Sequence, residues 1–194
     1  MSTERKLVLD FLKLYSVKTA DGRTLFDLSS GEQSSIYLDL KKTTLHNKIH
    51  VPLASLLCDA ILEFAPITFV AGVALGGCHL ASITSIYSVL IFNRPLDTVY
   101  IREEPKNHGT KQVIESPLQV IESPFTVYGG SSVILLEDVV TTGNSAFKAA
   151  EILREANFDV RGIICVVDRR EKYDEYLRGQ IPIRSLFKLE DLLT

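Results

Sequence analysis

The stretch from Val133 to Ser145, VILLEDVVTTGNS, decides the fold. It opens with four consecutive apolar residues, which is typical of a strand buried on both faces of a parallel sheet. Two acids, Glu137 and Asp138, end this strand, and small and hydroxylated residues follow. From Ser145 onward, apolar residues recur at helical spacing. The segment therefore predicts a strand, a loop and a helix in that order.

The predicted loop has the chemistry of a phosphate site. A loop entering a helix N-terminus presents free backbone N–H groups and the positive end of the helix dipole. Thr141, Thr142 and Ser145 add hydroxyl groups, and Gly143 permits close approach to the backbone. The two acids would repel a phosphate, so they need sugar hydroxyls, a divalent cation or a proton in transit. A phosphate beside a ribose meets both demands, whereas an ordinary strand before a capped helix is the alternative.

Composition limits the function classes. A chain of 194 residues with 46% hydrophobic content can bury the core of one domain. The net charge of −3 gives no basic footprint for nucleic acid, so an anionic substrate must meet local cations. The three cysteines, Cys58, Cys78 and Cys165, are far apart in apolar surroundings, which predicts free buried thiols and a cytoplasmic protein. The N-terminus has no apolar signal core.

Alternating patterns along the chain predict a parallel α/β sheet with its site at the carboxyl ends of the strands. Helical spacing covers residues 4–17 and 47–64, and a hairpin is predicted between 26–28 and 36–40. Residues 64–93 contain no charged side chain, but prolines and glycines divide them into a strand, a turn and a helix rather than a membrane span. Further strands are predicted at 97–102, 163–167 and 183–187, with a short helix at 173–177.

Two nucleotide-binding classes are excluded by spacing. Gly72, Gly76 and Gly77 do not form the Gly-x-Gly-x-x-Gly fingerprint, and no Gly-Lys-Ser/Thr follows them. His79 falls early in the next helix, where a polar structural role is favoured over a catalytic one. A tandem repeat, residues 112–118 followed by 119–125, is interpreted as a tolerated duplication in a surface connection, with an effect on loop closure as the weaker hypothesis.

The segment from Val133 to Ser145 resembles the phosphoribosyl-pyrophosphate signature of type I phosphoribosyltransferases, specifically the orotate branch, and the resemblance covers nearly the whole chain. It implies a type I phosphoribosyltransferase-like parallel sheet flanked by helices. Residues 1–194 are expected to form a single domain, with an N-terminal helix and hood in 1–45 and an α/β core in 46–194.

The resemblance implies roles for individual residues. The acid pair holds the ribose hydroxyls, the loop that follows cradles the 5'-phosphate, and the turn at Gly76 and Gly77 meets the diphosphate. Arg169, in the Asp-Arg-x-Glu motif, meets the orotate carboxylate beside Thr141, as a guanidinium suits a carboxylate. The implied donor-binding set is Glu137, Asp138, Val139, Val140, Thr141, Thr142, Gly143, Asn144, Ser145, Gly76 and Gly77.

Residues 102–111 resemble the family's Arg-Lys-Glu-x-Lys-Asp-His-Gly catalytic loop, which closes over pyrophosphate in the neighbouring subunit's site. The matching positions are Arg102, Glu104, Lys106, His108 and Gly109. Asp138 with Arg102, Lys106 and His108 forms the implied catalytic set.

Three departures from the family pattern stand out: Glu103, Ser29 and Gly76 occupy positions where family members carry lysine. Each absent lysine removes a charge-assisted contact to the diphosphate.

The implied activity is transfer of ribose-5-phosphate from phosphoribosyl pyrophosphate to orotate, giving orotidine 5'-monophosphate and pyrophosphate, a step of pyrimidine biosynthesis. It implies Mg²⁺ bridging the donor near Glu137 and Asp138, and a homodimer with shared active sites. Two alternatives stay open at this point: a phosphoribosyltransferase for another base, and a non-catalytic regulator that binds phosphoribosyl pyrophosphate or a nucleotide.

Overall fold

The computed structural model describes residues 1–20, 25–27, 33–102, 113–117, 131–170 and 181–194. The chain begins with helix α1 (Thr3–Phe11), which continues as a π-helical segment (Leu12–Ser16) where one helix was predicted over 4–17. Short strands follow: β1 (Val17–Thr19), β2 (Phe26–Asp27), β3 (Gln33–Ser34) and β4 (Ile36–Leu38). The next elements are α2 (Lys41–Thr44), α3 (Asn47–Leu62), β5 (Phe69–Val73), α4 (Gly76–Phe92), β6 (Asp97–Ile101), β7 (Ile114–Glu115), β8 (Ser132–Val140), α5 (Asn144–Glu155), β9 (Asp159–Asp168), β10 (Ile183–Lys188) and α6 (Leu189–Leu193).

The strand at residues 26–27 forms a hairpin, but the predicted partner at 36–40 is wrong. β2 pairs with β3, and β4 pairs antiparallel with β1, in a register that sets Val17 opposite Leu38. Leu38 is buried in the same apolar cluster as Val8 and Leu12. Because burial of Leu38 requires β4 to lie beside the opening helix, β4 takes its partner from the strand that leaves that helix.

The central sheet has the strand order β10-β9-β8-β5-β6-β7. Its first five strands are parallel, as predicted, whereas β7 at the edge runs antiparallel to β6. β7 lies in the first copy of the tandem repeat, and the second copy lies outside the described residues. The predicted helix at 173–177 also lies outside them.

Burial on both faces explains the unbroken apolar run in β8. Ile134 and Leu136 pack into a cluster with residues of α1, α3 and α4. Val133 and Leu135 point to the opposite face and pack with residues of α5. Since successive side chains of a strand alternate between faces, a sheet covered on both sides requires apolar residues at every position.

Of the remaining fold predictions, the one for residues 64–93 is confirmed, and the one for the cysteines is partly wrong. Residues 64–93 form the predicted strand, turn and helix, and no described helix is long and apolar enough to cross a membrane. All three cysteines are free, but only Cys58 and Cys165 are buried, whereas Cys78 is half-buried. Burial raises the pKa of Cys58 to about 12.

Candidate functional site

A cavity of about 700 Å³ lies at the carboxyl ends of β5, β8 and β9. Parallel sheets bind ligands at this edge because their loops and helix N-termini converge there. The cavity is lined by Tyr37, Leu38, Lys41, Val73, Ala74, Leu75, Gly76, Glu137, Asp138, Val139, Val140, Thr141, Thr142, Gly143, Asn144, Ser145, Ala146 and Arg169.

The acid pair lies within β8, and not at its end as predicted from the sequence, because the strand continues to Val140. Glu137 Oε1 accepts a hydrogen bond from the backbone N–H of Asp138 at 3.1 Å. Asp138 Oδ1 accepts one from the N–H of Val139 at 2.8 Å. These contacts fix both carboxylates near the backbone, and each carboxylate has further acceptor capacity for a polyol or a cation.

The loop after β8 turns into α5 at Gly143. This residue has φ of 90°, a left-handed conformation that glycine adopts without strain, and it is the N-cap of α5. Gly143 has no side chain to cap the helix, and Ser145 and Ala146 of the first turn line the cavity. Thr142 Oγ1 accepts a hydrogen bond from the N–H of Asn144 at 3.3 Å. The arrangement is suited to a phosphate.

The turn between β5 and α4 forms another wall, and its Ala74–Leu75 peptide bond is cis. Gly76 lines the cavity, and a Cβ atom placed there would lie 2.6 Å from Asp138 Oδ2. Gly77 is buried behind the turn, where a Cβ would lie 2.5 Å from the carbonyl oxygen of Leu136. Of the two glycines implied by the resemblance, Gly76 therefore lies at the cavity and Gly77 allows α4 to pack closely on β8.

Two neighbouring arginines after β9 have different surroundings. Arg169 lines the cavity, and its Nη2 donates to Ser34 Oγ at 2.7 Å, which joins the N-terminal region to the core. Arg170 donates from Nη2 and Nε to the Asp168 carboxylate at 2.6 and 2.9 Å. Burial alone would raise the pKa of Asp168, but the hydrogen bonds and charge of Arg170 outweigh burial and lower it.

Arg102 does not line this cavity. Its Nε donates to Glu115 Oε1 at 2.9 Å, across the β6–β7 edge of the sheet. Lys106 and His108, together with Ser29, Glu103, Glu104 and Gly109, lie outside the described residues.

Seven residues of the cavity wall were not assigned to the site from the sequence: Tyr37, Leu38, Lys41, Val73, Ala74, Leu75 and Ala146. The first three come from the N-terminal part of the chain. Tyr37 packs its ring against Phe26 with centroids 5.6 Å apart. The strand pattern around Tyr37 indicated a covering element but did not indicate which residues reach the core. The pair Lys41-Lys42 after that strand was the available signal for a cation.

His79 has structural contacts. Its Nε2 lies 2.8 Å from the carbonyl oxygen of Thr44, and its ring lies against His50 with centroids 4.8 Å apart. Burial lowers the pKa of His79, and the charge of His50 adds to this, while the contact with Thr44 opposes it. The residue therefore ties α4 to α2.

Comparison with known families defines the class. Residues 8–183 match the family model described as the phosphoribosyl transferase domain. The fold and the cavity at the carboxyl ends of the strands thus belong to a phosphoribosyltransferase.

Relatives narrow the class. The orotate phosphoribosyltransferase of Aquifex aeolicus is 37% identical over 191 residues, covering 98% of each chain. That of Sorangium cellulosum is 37% identical over 167 residues, covering 86% of this chain and 83% of the relative. The crystal structure of the Mycobacterium tuberculosis orotate phosphoribosyltransferase in complex with inorganic phosphate has a TM-score of 0.76 at 25% identity, with full coverage of both chains. The chain belongs to the orotate phosphoribosyltransferase family.

Proposed function

We propose that the chain transfers ribose-5-phosphate from phosphoribosyl pyrophosphate to orotate within the cavity at the carboxyl ends of β5, β8 and β9. The observation that carries the proposal is the placement of the acid pair between the loop at residues 141–145 and the turn at Gly76, with Arg169 on the remaining wall. A phosphate site, a ribose site and a carboxylate site thus line a single cavity.

The bond changes define what the site must do. A bond forms between N1 of orotate and C1 of the ribose, while the bond from C1 to the diphosphate oxygen breaks. The diphosphate leaves with the electron pair, and the N1 proton is released. Positive charge develops at C1, which the carboxylates of Glu137 and Asp138 favour electrostatically. The site must exclude water, since water would hydrolyse the donor.

The other residues of the site are proposed to bind the phosphate, the orotate and the leaving diphosphate. The loop at 141–145 holds the 5'-phosphate through N–H and hydroxyl groups, and Arg169 meets the orotate carboxylate beside Thr141 with two parallel hydrogen bonds. Arg102, Lys106 and His108 are proposed to neutralise the leaving diphosphate from a neighbouring subunit. Arg102 does not line the cavity of its own chain, which supports a role in the site of a neighbouring subunit.

Mg²⁺ is the proposed cofactor. No group of three or more His, Cys, Asp or Glu side chains among the described residues could hold a metal ion without a ligand. The cavity does offer the carboxylates of Glu137 and Asp138, and hard oxygen ligands suit Mg²⁺. The residues therefore fit a cation held jointly with the donor's oxygens, which would neutralise charge on the diphosphate.

A homodimer of single-domain chains is the proposed working unit, in the cytoplasm. One face of α4 exposes large apolar side chains, with Ile86 57%, Leu90 74% and Ile91 60% accessible. An exposed apolar patch of this kind suits a second copy of the chain. The free thiols of Cys58, Cys78 and Cys165 suit a reducing compartment.

The test is an assay of the purified chain with Mg²⁺, phosphoribosyl pyrophosphate and orotate, following orotate absorbance and pyrophosphate release. Asp138→Asn should lower kcat/KM about 100-fold or more, because a charge aimed at the reacting carbon is lost. Asp159→Asn is the matched control, since Asp159 lies at the opposite end of β9 and is paired with Arg161. Pyrophosphate release with another base but not with orotate would contradict the orotate assignment. Binding of phosphoribosyl pyrophosphate without turnover would also contradict it.

A further inference from the structure

The charges of the cavity wall are unevenly placed for a ligand with two anionic ends. Among the described residues, the charged side chains lining the cavity are Lys41, Glu137, Asp138 and Arg169. Arg169 is hydrogen-bonded to Ser34 at 2.7 Å and is assigned to the base. The loop at 141–145 supplies N–H and hydroxyl groups to the 5'-phosphate. The diphosphate end therefore depends on the remaining described cation of the wall, Lys41.

Gly76 cannot be replaced by a cationic side chain without cost to the acid pair. Because a Cβ at Gly76 would lie 2.6 Å from Asp138 Oδ2, any side chain there displaces the Asp138 carboxylate. The turn at Leu75 and Gly76 can offer its backbone to an anion, but its positive charge must come from another segment.

Helix α2, which begins at Lys41, is such a segment, and buried contacts hold it in place. Thr43 and Thr44 are fully buried, and Thr43 Oγ1 donates to the carbonyl oxygen of Phe11 at 3.0 Å. Thr43 Oγ1 also lies 2.7 Å from Ser16 Oγ, which ties α2 to the opening helix. The contact between His79 and the carbonyl oxygen of Thr44 ties it to α4, whose first residue is Gly76.

The two lysines of α2 point in different directions, because adjacent helical residues are about 100° apart. Lys41 lines the cavity, and Lys42 does not. The Lys41 side chain is 53% accessible, and its Nζ lies 3.9 Å from Asp39 Oδ1, which is beyond hydrogen-bond distance. It can therefore meet an anionic ligand without breaking a strong contact.

We propose that Lys41 is a substrate-binding residue that contacts the diphosphate of phosphoribosyl pyrophosphate opposite the turn at Leu75 and Gly76. The inference rests on the proposed function, since it takes the donor from it. Positive charge for the leaving diphosphate thus comes from Lys41 in the N-terminal part of the chain, in addition to the cations proposed in the loop at 102–111.

Calorimetry on the full chain tests this inference with three probes in the presence of Mg²⁺: phosphoribosyl pyrophosphate, pyrophosphate and ribose 5-phosphate. Lys41→Ala should weaken the binding of phosphoribosyl pyrophosphate and of pyrophosphate about tenfold or more, the usual effect of removing a charge-assisted contact. It should leave ribose 5-phosphate binding unchanged, and Lys41→Arg should restore much of the loss. Lys42→Ala, an adjacent change of the same kind, should behave as the unaltered chain.

Equal pyrophosphate affinities for Lys41→Ala and Lys42→Ala would overturn the inference, and so would a loss confined to ribose 5-phosphate. Because calorimetry requires no base, the comparison of lysines is independent of the acceptor. An unaltered chain that binds the donor but does not consume orotate would contradict the proposed function alone.

Discussion

The two ends of the cavity are built in different ways. The proposed 5'-phosphate end is one continuous segment, residues 141–145, which leads from β8 into the first turn of α5. The proposed diphosphate end is assembled from α2, the turn at Leu75 and Gly76, and Asp138, which are far apart in sequence. A continuous segment depends mainly on its own backbone, whereas an assembled wall depends on contacts that hold separate elements together. Substitutions at the assembled end should therefore affect residues other than the one changed.

The largest expected effect concerns the ion pair that holds the end of β9, next to Arg169 in the cavity wall. Arg170→Ala leaves the buried Asp168 carboxylate without its bidentate partner, so the free energy of unfolding should fall by about 3–5 kcal/mol. Chemical denaturation measures this change. Arg169→Ala should cost little stability and instead raise KM for orotate about tenfold or more, because a ligand contact is lost. Similar stability losses in the two variants would contradict the separation of their roles.

The next effect tests coupling at the diphosphate end. In Gly76→Ala the new methyl group meets the side chain of Asp138 rather than backbone atoms, so the melting temperature should change little. The activity should fall about 100-fold, as for loss of the Asp138 charge itself. Steady-state kinetics and thermal unfolding of the same sample check both. Unchanged kcat/KM would show that the turn and Asp138 are independent.

A smaller effect is expected at the continuous end. Gly143→Ala puts a Cβ in a left-handed conformation and 3.0 Å from Phe147 Cε2, so it should destabilise the fold by about 1–2 kcal/mol. Since the strain lies in the loop itself, ribose 5-phosphate binding should weaken while pyrophosphate binding is retained. Calorimetry with the two anions separates these outcomes, and equal losses for both would contradict the division of the cavity.

The smallest effect is a pH dependence at the contact between α2 and α4. The pKa of His79 is lowered in the folded chain, so the unfolded chain binds more protons as pH falls through about 6.5. Stability, and with it the melting temperature, should therefore decrease slightly on acidification through that range. His79→Gln should reduce the difference between melting temperatures at pH 7.5 and pH 5.5. A melting temperature of the unaltered chain that rises on acidification would contradict the sign.

The continuous end could be predicted from sequence because its strand, acids, loop and helix lie within 13 residues, Val133 to Ser145. Burial of β8 on both faces makes the apolar run unbroken, and the structure has the predicted order of elements. Local patterns also indicated the strand, turn and helix of residues 64–93.

The assembled end could not be predicted in the same way. Lys41 and Lys42 are equivalent in a linear pattern, and only the buried threonines of α2 and the contact with His79 decide which lysine reaches the cavity. The pairing of β4 with β1 likewise depends on burial of Leu38 against the opening helix, a tertiary contact. The positions of Arg169 and Arg170 differ for a similar reason, since Asp168 accepts both hydrogen bonds from Arg170.

The most direct test of the central claim is a crystal structure of the chain with orotidine 5'-monophosphate. The account predicts the phosphate at residues 141–145, the ribose hydroxyls at Glu137 and Asp138, and the base carboxylate at Arg169. A nucleotide bound in the reverse direction, or outside this cavity, would contradict it.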